Sequence, residues 1–216
     1  MNNILRNKLI AIAEKRQTKK DPSHDFQHVL RVTNLAEEIC KIEKADLDIV
    51  IPASLFHDLI VYPKNTNQSK NETDESANEA VNILKKFKEY PAGKIEAVST
   101  CIKQCSFNKK INPDLLEAKI LQDADRLEAT GAIAIMRTFS SGGQMNKPFY
   151  DPSDPFCEND CIDFRSGLDL FYKRLLVVEH QMHTKSAQAI AKRRTIFLNN
   201  FLKELKLELK ESKIIS

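Results

Sequence analysis

Apolar residues in this chain recur every three or four positions in one segment after another, and that repeat commits it to helices with one buried face. Ile4, Leu5, Leu9, Ile10, Ile12 and Ala13 form such a stripe over residues 2–17. A second helix starts at Asp21, Pro22 and Ser23 and carries Val29, Val32, Leu35, Ala36 and Ile39. Pro52 is placed near the start of a third, ahead of Ala53, Leu55, Phe56 and Leu59, where its missing N–H leaves nothing unsatisfied. A polar loop, Tyr62 to Asn71, comes next. Thr73, with Asp74 and Glu75 behind it, opens a fourth helix to about Phe87, because first-turn acids suit the helix dipole. Pro91 opens a fifth through Ile95, Val98 and Ile102.

From Asn112 and Pro113 a long helical pattern runs to about Phe139, with Leu115, Leu116, Ile120, Leu121, Ala124 and Leu127 on its apolar side. Gly131 interrupts it at a cost of about 1 kcal/mol relative to Ala, so a tight helix contact is expected there. Residues 141–164 are the main irregular stretch, with Gly142 and Gly143 side by side, and a long loop of this kind often serves as a lid. Two more helices follow, at about 165–182 and 184–210. The last is basic, with Ile190, Ile196, Phe197, Phe201, Leu202 and Leu205 along one side. Only five glycines and no tryptophan in 216 residues agree with an all-α fold. That length suits a single domain over 1–216, with its core at about 20–140 and the loop 141–164 and helices 165–210 packed on it.

Charge excludes some partners. With 33 basic and 30 acidic residues the net charge is +3, too balanced to argue for a nucleic-acid partner by itself, and the basic last helix reads as a solvated face rather than a nucleic-acid surface. Arg6, Asn7 and Lys8 break the apolar start, and no run of about 18 apolar residues exists. Neither a signal peptide nor a membrane partner is expected, and the location is read as cytoplasmic. The five cysteines, 40, 101, 105, 157 and 161, lack the two-residue spacing of zinc or redox motifs, so they read as reduced, mostly buried thiols.

The five histidines are 24, 28, 57, 180 and 183, and the first three fall in two compact groups. Ser23, His24, Asp25 and His28 form one; His57 and Asp58 form the other. Imidazole nitrogens brought together with a carboxylate suit a divalent ion. Adjacent residues point about 100° apart on a helix, so His57 and Asp58 flank one ion only near a helix end. Asp123 and Asp125 sit inside an apolar pattern, where an unpaired charge is costly to bury. Capping or pairing with Arg126 would account for them, and metal ligation accounts for them better. His180 and His183, near the end of a helix, read as surface or packing residues.

The order His28, His57 with Asp58, then Asp125 resembles the HD superfamily of metal-dependent phosphohydrolases. The surrounding residues carry the resemblance too: His24, Asp25, His28, Arg31 and Val32; Ala53 to Asp58; Asp123, Asp125, Arg126, Leu127, Glu128 and Ala129. It extends over about residues 20–205, including Gly142, Gly143, Lys147 and Pro148, and Met182, Thr184 and Lys185 before the last helix. The chain is most similar to the small stand-alone bacterial branch, which includes nucleotide pyrophosphatases.

The resemblance implies an HD-domain helical bundle with a C-terminal helical extension. It implies that His28, His57, Asp58 and Asp125 hold a divalent ion: Mn, Mg, Ni, Co or Fe. Asp125 is preferred to Asp123 because the family ligand directly precedes the Arg-Leu pair. Four protein ligands on a six-coordinate ion leave room for water and a phosphate oxygen. The implied reaction is hydrolysis of (deoxy)nucleoside triphosphates to monophosphate and pyrophosphate by metal-activated water, with a small nucleotide as the substrate. Alternatives are a 5′-nucleotidase or other phosphomonoesterase, and a nucleotide-binding signalling module without turnover. A homodimer is left open.

Around the ligands, Arg31 lies three residues after His28 and Lys64 in the loop after the doublet, and both are candidates for phosphate contact. His24 is a candidate to orient a ligand or to protonate the leaving group, with a structural role equally open. Asp58 or Asp25 could position the attacking water, and Arg126 is expected in an internal ion pair. Alarmone hydrolases of this superfamily carry a Glu-Asp pair soon after the doublet. Here Leu59 to Pro63 follow, with no acid until Glu72, which points away from alarmones. Tyr62 and Pro63 are too close to the doublet for the Gly-Tyr-Pro word of the cyclic-di-GMP branch.

Overall fold

A computed structural model describes residues 1–16, 25–62, 66–106, 109, 111–159 and 164–215. Among the described residues the chain is all-α: α1 (Asn3–Arg16), α2 (Phe26–Glu43), α3 (Leu47–Phe56), α4 (Glu72–Leu84), α5 (Ile95–Cys105), α6 (Leu116–Leu127), α7 (Ala132–Gln144), α8 (Gly167–Leu170) and α9 (Lys185–Glu211). No described helix is long and apolar enough to cross a membrane. The chain divides into two compact units, Met1–Asp125 and Arg126–Ser216.

In the first unit α3 is the central element. Its residues from Val50 to Phe56 are all buried, and α1, α2, α4 and α5 pack on it. A helix apolar on every side has to lie inside. Burial of side chains such as Phe56, Leu55, Ile39 and Leu84 contributes about 1.5–3 kcal/mol each. The start of α3 differs from the sequence expectation. Asp46 caps it, accepting from the Asp48 N–H, so Pro52 lies in the helix interior. A proline there cannot donate to the carbonyl four residues back, that of Asp48. The Tyr90 hydroxyl donates to that carbonyl instead, at 2.7 Å. Gln122, fully buried, ties α6 to the preceding chain by donating to the carbonyls of Gln104 and Ile111 at 2.5 and 3.0 Å.

In the second unit Leu168, Phe171, Leu175, Leu198 and Leu202 form the core with Ala134, Phe156 and Leu209. The long helix expected over 112–139 is broken between Leu127 and Ala132. Gly131 has φ 83°, and a Cβ on it would stand 3.0 Å from Cγ of Arg194. Arg194 in turn donates to the Leu127 carbonyl and so closes the end of α6. The expected close contact is therefore real, but it accompanies a break rather than an uninterrupted helix. α7 runs through Gly142 and Gly143 to Gln144, past the expected start of the irregular stretch. The segment 165–182 is not one helix: a capping box of Ser166 and Asp169 opens α8, a π turn covers Phe171–Leu175, and a 3-10 turn covers Val178–Gln181.

Cys40, Cys101 and Cys105 are buried thiols outside any disulfide. Burial pushes the thiols of Cys40 and Cys101 up to about 11 and about 12, which makes them unreactive packing groups. Cys157 departs from the expectation of reduced, buried thiols: it is half-buried in the turns of 151–159 and disulfide-bonded.

Candidate metal centre

Three stretches of the first unit meet at one place. α2 supplies His28 in its first turn, the C-cap of α3 is His57 with Asp58 just beyond it, and α6 supplies Asp125. His28 and His57 are 1% and 3% exposed, whereas the carboxylates of Asp58 and Asp125 are about one-third exposed. The histidines thus form a buried floor and the carboxylates a rim open to solvent.

His28 is held through its backbone and His57 through its ring. Asp25 caps α2, and its Oδ1 accepts the His28 N–H at 3.0 Å. That carboxylate, a sequence candidate for positioning water, is engaged on the backbone and fixes the start of the helix carrying His28. His57 Nδ1–H donates to the Ser54 carbonyl at 2.7 Å, the carbonyl one helical turn earlier. With the proton on Nδ1, the lone pair of Nε2 faces the carboxylates. The two rings stand edge to face, with centroids 5.7 Å apart.

Four distances define the centre. His28 Nε2 lies 3.8 Å from Asp58 Oδ2 and 3.6 Å from Asp125 Oδ1. His57 Nε2 lies 3.4 and 4.0 Å from the same two atoms. Donors about 2.1 Å from a common octahedral ion stand roughly 3 Å apart when adjacent and roughly 4.2 Å apart when opposite. All four distances fall in that interval, and the N and O donor set suits a first-row divalent ion or Mg²⁺. Donor atoms of His28, His57 and Asp125 all lie within 4.8 Å of one another. His28, His57 and Asp125 therefore fit a divalent ion, and Asp58 Oδ2 stands beside both imidazoles but outside that mutually close set.

The other candidates are placed as follows. Asp123 is fully buried two residues before Asp125, roughly 200° around α6. Arg31 is half-buried on α2, three residues after His28. Arg126, the first residue of the second unit, donates to the Gln181 carbonyl at 2.8 Å and stands 3.1 Å from His183 Nε2. His183 is thus drawn into packing, while His180 is exposed. His24 and Lys64 lie outside the described residues.

Sequence reasoning missed the groups behind the site. The Ser54 carbonyl was findable, since it sits three residues before His57 on a helix. No local pattern announces the partners of the chain after Asp58, described below. Removing the Asp25 cap tests the support of His28. Asp25→Ala is expected to cost about 1 kcal/mol, or a drop in melting temperature of roughly 2–4 °C, with Asp25→Asn close to the parent. Equal melting curves for Asp25→Ala and the parent would remove the cap from this account.

Comparison with known proteins agrees with this architecture. The family model for the HD domain matches residues 25–130. The Bacillus subtilis protein YpgQ is 30% identical over 204 residues, covering 89% of this chain and 87% of that protein. The crystal structure of B. subtilis YpgQ in complex with ADP superposes with a TM-score of 0.71 at 28% identity, covering 94% of this chain and 97% of that one. An HD-superfamily hydrolase from Bacillus thuringiensis superposes with a TM-score of 0.75 at 27% identity, covering 96% and 97%.

Proposed function

Since the chain belongs to the HD-domain family and is a metal-dependent phosphohydrolase, we propose that it hydrolyses (deoxy)nucleoside triphosphates to a monophosphate and pyrophosphate, with His28, His57, Asp58 and Asp125 holding one divalent ion. The observation that carries the site is the convergence of two buried imidazoles and two solvent-facing carboxylates, with N–O distances of 3.4–4.0 Å. The nucleotide reading is supported by the similarity to YpgQ, whose crystal structure holds ADP.

A divalent ion in this place would acidify water and offset the charge on phosphoryl oxygens. The chain supplies the rest. Ser54 holds the His57 ring in one orientation, and Asp25 fixes the helix start that carries His28. The half-open Asp58 carboxylate can accept a hydrogen bond from a water at the rim and aim it at phosphorus. Arg31 offers a planar guanidinium for phosphate oxygens. Lys64 as a second phosphate contact and His24 as proton donor to the leaving group complete the reading from their sequence positions. Mn²⁺, Mg²⁺, Ni²⁺, Co²⁺ and Fe²⁺ all suit the donor set.

Product analysis tests the bond cleaved. Metal-stripped protein refilled with Mn²⁺ is expected to release pyrophosphate and dAMP from dATP and to leave dAMP intact. Phosphate from dAMP, without pyrophosphate from dATP, would replace this reading with a 5′-nucleotidase. Nucleotide binding without any product from a panel of nucleotides and metals would replace it with a signalling module.

A further inference from the structure

Asp58 stands in the turn just beyond the end of α3. From His57 to Ile60 the chain is turn and bend, and Val61 and Tyr62 follow without regular structure, so the N–H groups of Ile60 and Tyr62 take side-chain partners. They find them on one face of α4. The Ile60 N–H donates to Ser76 Oγ at 3.0 Å, and the Tyr62 N–H donates to Glu72 Oε1 at 2.7 Å. The Tyr62 hydroxyl donates to Glu75 Oε2 at 2.6 Å, which holds the phenol above its ordinary pKa. Glu72, Glu75 and Ser76 are spaced i, i+3 and i+4, so they share a single helical face. Ser76 is fully buried and Leu59, between Asp58 and Ile60, is 7% exposed. The doublet's exit is therefore gripped at Ile60 and twice at Tyr62, with Leu59 anchored beneath.

We propose that Glu72, Glu75 and Ser76 are positioning residues: the first turns of α4 hold the backbone after the doublet and thereby set where the Asp58 carboxylate stands relative to His57 and His28. Helix-dipole compensation alone would account for acids in the first turn of α4, but not for their aim at the N–H and hydroxyl of Tyr62. It would leave Ser76 unexplained as well. Shared metal ligation requires Asp58 Oδ2 to stay near the two imidazoles, 3.4 and 3.8 Å away, and anchoring the chain two and four residues further on limits how far that carboxylate can drift. Loss of partners that orient a ligand typically weakens metal binding about 10- to 100-fold. The inference rests on Asp58 being a ligand, as read above.

Mn²⁺ affinity of metal-stripped protein, read by calorimetry, tests it alongside thermal melting of the same samples. Glu72→Ala and Ser76→Ala are expected to bind Mn²⁺ about 10-fold or more weakly. Glu72→Gln, which keeps an acceptor oxygen for the Tyr62 N–H, is expected to bind like the parent. Glu79→Ala, also on α4 but paired with Arg16, serves as the structural control and is expected to leave affinity unchanged. Parent-like affinity in Glu72→Ala, with affinity lost in Asp58→Ala, would overturn the positioning role while leaving the ligand set intact. Parent-like affinity in Asp58→Ala would overturn the ligand set itself. Should Ser76→Ala fail to fold, the comparison of Glu72→Ala with Glu72→Gln decides alone.

Discussion

Replacing His57 by Ala is expected to abolish Mn²⁺ binding and phosphohydrolysis while leaving the helical content of the chain nearly unchanged. His57 ends α3 rather than filling it, and the residues that bury that helix run from Val50 to Phe56. The change leaves the Ser54 carbonyl without the Nδ1–H it accepts, at a cost of about 1–3 kcal/mol, which an ordinary domain survives. The site loses an imidazole whose Nε2 lies 3.4 Å from Asp58 Oδ2. Asp58→Ala is expected to behave alike. On α6 the two carboxylates separate the readings: Asp125→Asn is expected to lose the ion, and Asp123→Asn to keep it. Circular dichroism and Mn²⁺ calorimetry on the same samples check all four variants. A fully active Asp58→Ala, or loss of metal from Asp123→Asn alone, would redraw the centre.

Replacing Phe171 by Ala is expected to destabilise the second unit by about 3–5 kcal/mol, a drop of roughly 10 °C in melting temperature. Phe171 is fully buried in the π turn, stacked on Phe201 at 5.6 Å and tilted against Phe139 at 6.0 Å. A large side chain held on two faces by rings leaves a cavity that its neighbours fill only in part. Ile196→Ala on α9 is the counterpart: that side chain is 55% exposed, and its loss is expected to change stability by about 0.5 kcal/mol or less. Equal losses for the two variants would mean that the cluster around Phe171 does not carry this unit.

Much of the fold was legible because helical stripes are local. The repeat in 2–17 corresponds to α1, the repeat of Val29 to Ile39 is α2, which begins at Phe26 behind its Asp25 cap where a start at Asp21 to Ser23 was expected, and Thr184 caps α9 where a helix start was expected. The misreadings share a cause. Pro52 and Gly131 were judged by their general habits, but each is accommodated by a residue far along the chain, Tyr90 and Arg194. Residues 165–182 have helical composition, yet they bend through α, π and 3-10 turns around the buried Phe171.

The acids after the doublet show the same division. No acid follows Asp58 closely in sequence, but Glu72 and Glu75 return through space to Tyr62, four residues beyond it.

By itself the sequence determined the helical class, the family and the kinds of donor a centre would have, because these depend on residue type, spacing and order. Tertiary structure alone decided how close His28, His57 and Asp125 come to one another, and which groups of α4 hold the chain after Asp58. Those are matters of a few ångströms between residues 10 to 97 positions apart, such as Tyr62 with Glu72 and His28 with Asp125. Packing sets such distances, and no local pattern encodes them.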